Sequence, residues 1–225
     1  MSNHPGSLDF LQTKTVPDLV QAEILRMIKA GQLQAGGKLN EISLAQHLRV
    51  SRGPIREAFR ALEEAGLVKL EKNRGVFVRE ISPQEAAELY GLRATLDEMA
   101  GRSLALSITD AQLQELDDML HRLDVAAENG AIEVYFPLNI AFHDRIVELT
   151  GNDTLLEFYR RVIDRMHLIR RQSFAARDGA NPSRTEHRAI VEGLASRDAV
   201  RAASCLRRHV ENGYQRFLDM HPAGS

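Results

Sequence analysis

The sequence predicts a mainly α-helical chain in two parts: three helices closed by a small β-hairpin, then an all-α bundle of six helices. Apolar residues recur every three or four positions through most of the chain, whereas alternation with period two is confined to two short runs near residues 67 and 75. The charge is also split. Residues 1–80 hold 12 Lys and Arg against 9 Asp and Glu, while the remainder holds 17 against 22. A basic start joined to an acidic remainder is the pattern of a nucleic-acid module attached to a second domain.

In order, the first helix is expected over residues 16–30, where Val16, Leu19, Val20, Ile24, Met27 and Ile28 share one face and Gly31 stops it. A short second helix fits 43–48, with Leu44, Ala45 and Leu48 inward. Residues 50–53 read as a turn, and a third helix fits 54–64, opening on Pro54 and ending at Gly66. Two alternating runs, 67–70 and 75–78, flank the polar tip Lys72-Asn73-Arg74 and form a two-stranded wing. Ser82-Pro83-Gln84-Glu85 then matches a capping box. Six helices follow at 83–106, 110–128, 132–150, 153–174, 183–196 and 198–220. Thr109, Asn152 and Asn181 are candidate caps, with Gly130, Gly151 and Gly179 in the breaks. The division is therefore 10–80 for a winged helix-turn-helix and 81–220 for the bundle.

Composition narrows the function. Hydrophobic residues at 44% and charged residues at 27% are ordinary for a globular chain and argue against disorder. No stretch approaches 18 uncharged apolar residues, and the first ten residues lack a basic start and an apolar run. Neither a membrane span nor a secretory signal is expected. The single cysteine, Cys205, forms no internal disulfide, which fits a cytoplasmic protein.

In a helix-turn-helix the second helix enters the major groove and its first residues meet bases and phosphates. Here that start is Ser51-Arg52-Gly53-Pro54-Ile55-Arg56. Arg52 and Arg56 lie four apart on one face, and Arg60 continues it toward a phosphate. Arginine suits the role because it grips the O6/N7 edge of guanine bidentately. On an isolated helix the plainer reading would be a solvated face paired with Glu57, Glu63 and Glu64; the adjoining turn and wing favour DNA.

The segment VSRGPIREAFRALEEAGLVKLEKNRGVFV resembles the winged-helix signature of GntR-family bacterial transcription regulators, and the likeness runs back through Leu39-Asn40-Glu41 and Leu44-Ala45, over about residues 15–80. The resemblance implies that Arg52 and Arg56 read DNA and that Asn73, Arg74 and Gly75 form a wing tip entering the minor groove. Two positions depart from the pattern: Ala35 stands where a proline is usual, and Ile42 where some relatives carry a basic DNA contact.

In the second part, His143, His187 and His209 each sit on an otherwise apolar helical face, beside Phe136, Asn139 and Ile146, beside Ile190, Val191 and Leu194, and beside Ala202, Cys205, Leu206 and Gly213. One such histidine is ordinarily a hydrogen-bonded core residue. Three on separate inward faces suggest a metal centre, although periodicity alone does not make them meet. His4, His47, His121, His167 and His221 lack this pattern.

The segments NIAFHDRIVELTGN and EHRAIVEGLASRDAVRAASCLRRHV are similar to the FCD effector domain of the FadR subgroup of GntR regulators, in its shorter six-helix branch. Metal-binding members place Asp or Asn four residues before a histidine, then one histidine on each of two later helices. The resemblance therefore implies Asn139, His143, His187 and His209 as ligands to a divalent ion, zinc or nickel being suited to nitrogen donors. Arg93, four residues before Asp97, matches an arginine common in the domain; it would either hold an effector carboxylate or pair with Asp97 on the surface.

The function expected is a homodimeric DNA-binding regulator of a palindromic operator, with a divalent metal and a small carboxylate effector in the bundle. A bundle that only dimerises, without metal, is the alternative. An enzyme is not expected: three histidines also describe catalytic zinc, but no HExxH motif or evident glutamate base accompanies them.

Overall fold

The computed structural model describes residues 15–174 and 183–220, which fall into two compact units parting between Glu80 and Ile81. The first contains α1 (Val16–Lys29), β1 (Lys38–Leu39), α2 (Glu41–Leu48), α3 (Arg52–Glu64), β2 (Val68–Glu71) and β3 (Gly75–Val78). A capping box between Thr15 and Asp18 starts α1. Val20, Ile24 and Ile28 of α1 are buried with Ile55, Ala58, Phe59 and Leu62 of α3, which it packs against.

Three details differ from the sequence expectation. Helix α2 begins two residues early, because the Asn40 side chain accepts hydrogen bonds from Ile42 N and Ser43 N at 2.9 and 3.0 Å. Helix α3 begins at Arg52 rather than Pro54: Ser51 is the extended flanking residue, and proline is tolerated in the first turn, where no N–H is needed. The wing hairpin is part of a three-stranded antiparallel sheet of order β1-β3-β2, with β3 at its centre. Its extra strand, which pairs Lys38 with Phe77 and Leu39 with Val76, is two residues long and too short to show alternation.

The second unit comprises α4 (Pro83–Leu104), α5 (Asp110–Glu128), α6 (Ile132–Glu148), α7 (Asp153–Phe174), α8 (Ser183–Ala195) and α9 (Ala199–Met220). Ser82 caps α4, a Thr109–Gln112 capping box starts α5, and Asn152 accepts from Leu155 N at 2.9 Å at the start of α7. Gly130 and Gly151 take positive φ in the breaks, as such turns require. Asn181, Gly179, His4 and His221 lie outside the described residues.

Helix α9 runs between α4 and α8. Two glycines let it in: a Cβ on Gly101 of α4 would stand 3.0 Å from Ala202 O, and one on Gly193 of α8 would stand 3.2 Å from Ala202 Cα. That close approach brings His187 of α8 toward His209 of α9. Leu89 and Leu96 of α4 pack inward, whereas Leu92 is exposed, with Met99 seven residues on.

Candidate metal centre and DNA-reading surface

His143, His187 and His209 come from α6, α8 and α9 and are all buried, each offering a ring nitrogen within 4.8 Å of the others. His143 Nε2 and His187 Nε2 are 3.3 Å apart, and the His143 and His209 rings stack with centroids 4.6 Å apart. Phe142, beside both His143 and His187, supplies an apolar wall. Burial, reinforced by neighbouring histidines and Arg93, holds His143 and His209 well below the usual histidine range. Burial likewise lowers His187 to about 4, against the pull of Glu186. The three imidazoles are therefore neutral at pH 7, the state in which a ring nitrogen can donate its lone pair to a metal. Chemically, this donor set fits a divalent ion that takes nitrogen ligands. Asn139 is buried one turn before His143 on α6.

Two neighbours were not evident from the sequence. Glu186 contacts His209 Nδ1 at 2.8 Å and accepts from Asn212 Nδ2 at 2.9 Å and from both terminal nitrogens of Arg216 at 2.7 and 3.0 Å. With Nδ1–H directed to the carboxylate, His209 presents Nε2 as its lone-pair nitrogen. No helical period flags Glu186, because it directly precedes His187 and its partners lie on another helix.

The second neighbour is Asp97. Its pair with Arg93, one of the two roles the sequence left open for that arginine, is formed but is buried and not on the surface, both residues being 1% exposed, with Arg93 Nε donating to Asp97 Oδ2 at 3.2 Å. The signal was present, since both continue the α4 stripe of Ala86, Tyr90 and Ala94. Asp97 Oδ1 stands 4.0 Å from His143 Nδ1, and burial pushes its carboxyl up to about 6 despite Arg93. Among the described residues, Arg93 Nη2 and His143 Nδ1 are buried without a hydrogen-bond partner. His167 is also buried, edge-on to Phe136.

In the first unit, the apolar side of α3 is buried while Ser51, Arg52, Gly53, Arg56 and Arg60 are exposed together. A Cβ on Gly53 would meet nothing within 4 Å. Arg52 and Arg56 do not pair along their own helix: both donate from Nε to Glu41 of α2, Arg56 at 2.9 Å. Glu63 instead accepts from Leu70 N. At the wing tip Asn73 and Gly75 take φ of 62° and 112°, and Arg74 lies over the Phe77 ring at 5.6 Å.

Residues 18–78 match the model of bacterial regulatory proteins of the gntR family, and residues 88–212, more than half of the chain, match the FCD domain. The chain belongs to the GntR family and carries an FCD domain. This GntR-family protein is 31% identical over 185 residues to the Nta operon transcriptional regulator of Aminobacter aminovorans, covering 82% of this chain and 86% of that one. It is 28% identical over 183 residues to the HTH-type transcriptional repressor RspR of Escherichia coli, covering 78% and 77%. The solved structure of E. coli McbR/YncC has the same fold, with a TM-score of 0.83 over 93% of this chain and all of that one, at 21% identity. These families and relatives are transcriptional regulators and not enzymes, and the GntR-family chain is a DNA-binding transcriptional regulator. No helix among its described residues is long and apolar enough to cross a membrane.

Proposed function

We propose that the FCD domain of this regulator holds a divalent metal ion, zinc or nickel, on His143, His187 and His209 with Asn139 alongside. A small carboxylate effector binds there too and alters the grip of the winged domain on its operator. The observation that carries this reading is a buried set of three neutral histidines beside a guanidinium nitrogen, Arg93 Nη2, that lacks a partner. An orphaned buried donor is costly, and a carboxylate entering the site would satisfy it. The ion supplies positive charge and open coordination positions. The imidazoles and the Asn139 amide are neutral and leave the ion its charge, while the nearby carboxylates of Asp97 and Glu186 are already paired with Arg93 and Arg216, so the site favours an anion.

Residues Ser51, Arg52, Gly53, Arg56 and Arg60 are assigned to the major groove and Asn73, Arg74 and Gly75 to the minor groove, in a homodimer on a palindromic operator in the cytoplasm. The relative RspR is named as a repressor, which favours repression here. Effector binding changes DNA affinity only by favouring one arrangement of the two winged domains; a coupling of about 1–3 kcal/mol corresponds to roughly 5- to 150-fold. The 3.3 Å contact between His143 and His187 favours one other reading, a closed metal-free bundle that only dimerises.

Metal analysis of purified protein and of His187→Ala and His209→Ala, with operator titrations in the presence and absence of small carboxylates, separates the two. The expected result is loss of metal and of effector response together, with basal DNA binding kept. Asn139→Asp should tighten the metal and loosen the anion. A His209→Ala protein with full metal content and a normal response overturns the site.

A further inference from the structure

We propose that Glu41 is a specificity-determining positioning residue that presets Arg52 and Arg56 for base reading while weakening sequence-independent attraction to DNA. Glu41 is the first residue of α2, and its two carboxylate oxygens are divided between the two arginines, Oε1 taking Arg52 Nε and Oε2 taking Arg56 Nε. The two guanidinium groups are thereby held side by side across the turn between α2 and α3. Each is more than half exposed, whereas Glu41 is 23% exposed beneath them. Paired hydrogen bonds from both arginines hold the Glu41 carboxyl below its ordinary range, so it stays ionised.

Stability does not explain this arrangement, because exposed ion pairs contribute little to folding. Its consequences fall on DNA binding. A free arginine on a groove-facing helix searches many rotamers and meets any phosphate, a contact without sequence information. Anchored through Nε, each arginine has its direction set in advance and keeps its terminal nitrogens uncommitted to Glu41, so less ordering is required when guanine is met. The carboxylate also cancels one of the two positive charges, which lowers attraction to phosphate for every sequence alike. Glu41 thus acts on specific and nonspecific binding with opposite signs.

The inference rests on the assignment of Arg52 and Arg56 to base reading, and the test separates the two. A duplex selected from a random pool by the wild-type protein, and a shuffled duplex of equal length, are titrated at several salt concentrations with wild type, Glu41→Gln, Arg52→Ala and Arg56→Ala. For Glu41→Gln the ratio of the two dissociation constants should fall about tenfold, the shuffled duplex should bind more tightly, and its salt slope should steepen by about one. A Glu41→Gln protein that keeps the wild-type ratio and slope overturns the proposal, as does one that loses affinity for both duplexes equally, the signature of a merely structural clamp. If the arginine variants lose the selected duplex in that event, base reading by α3 stands and the role of Glu41 alone falls. If they bind it as the wild type does, both fall.

Discussion

At His209 the ring nitrogen turned away from the cluster meets Glu186, whose carboxylate is also engaged by Asn212 and Arg216. A carboxylate so placed fixes the tautomer and raises the basicity of the nitrogen proposed to bind the metal. Glu186→Gln is expected to weaken metal affinity by about 10- to 100-fold while leaving the helical fold intact, as read by chelator competition alongside circular dichroism. On the DNA side, Arg52→Ala and Arg56→Ala should each cost about 1–3 kcal/mol of operator affinity and relax preference at one base pair. Quantitative titration against single-position operator variants checks this, and unchanged affinity in both would remove α3 from the groove.

Among the elements, α9 depends most on small residues in its neighbours. A Cβ at Gly101 would stand 2.5 Å from Leu206 Cδ1 as well as 3.0 Å from the Ala202 carbonyl oxygen. The leucine can rotate, but the backbone of α9 cannot yield without moving His209. Alanine is the better helix former by about 1 kcal/mol, yet overpacking costs about 1–3 kcal/mol, so the balance falls against the substitution. Gly101→Ala should therefore lower the urea midpoint, and a midpoint at or above the wild-type value would show that α4 and α9 tolerate wider spacing. Of the first unit's elements, the wing draws on β1 as well as the hairpin, which ties the loop after α1 to the strand that carries Phe77.

For the whole molecule, acid and self-association are the informative stresses. In metal-free protein a histidine with a depressed folded pKa contributes stability that is complete above its unfolded value near 6.5 and is lost as the pH falls. For His187, held at about 4, the loss amounts to about 3 kcal/mol. Asp97, raised to about 6, acts in the opposite sense: its contribution is complete below its unfolded value of 3.8 and is lost as the pH rises through 6. That roughly offsets His187, so His143 and His209, both held well below the usual histidine range by burial, decide the sign. Metal-free protein should be less stable at pH ~4.5 than at pH ~7 by urea unfolding; equal midpoints would mean the histidines are not buried and neutral. Leu92 and Met99, each half exposed and seven residues apart on α4, are proposed to meet a second copy of the chain. Leu92→Glu with Met99→Glu should yield a monomer by light scattering and lose the affinity gained by linking two winged units. A dimer that survives both charges would move the interface elsewhere.

The helices were legible in the sequence because their causes are local. Apolar period, a capping side chain and a glycine at the break all act within a few residues, and the bounds of α5 and α7 follow from them directly. The starts of α2 and α3 were misplaced by two residues where Asn40 and Ser51, not the apolar stripe, mark the first turn. Chemistry was legible as type: three inward histidines suggested nitrogen ligands, and two arginines four apart suggested a reading face. Which groups surround them was decided by tertiary structure alone. Glu41 lies 11 and 15 residues before its arginines, and Glu186 lies 23 before His209. The burial of Arg93 with Asp97 against His143 depends on how α4 meets α6. Local periodicity places a side chain on a face, but only packing sets what stands opposite it, and here the opposing groups govern charge, tautomer and aim.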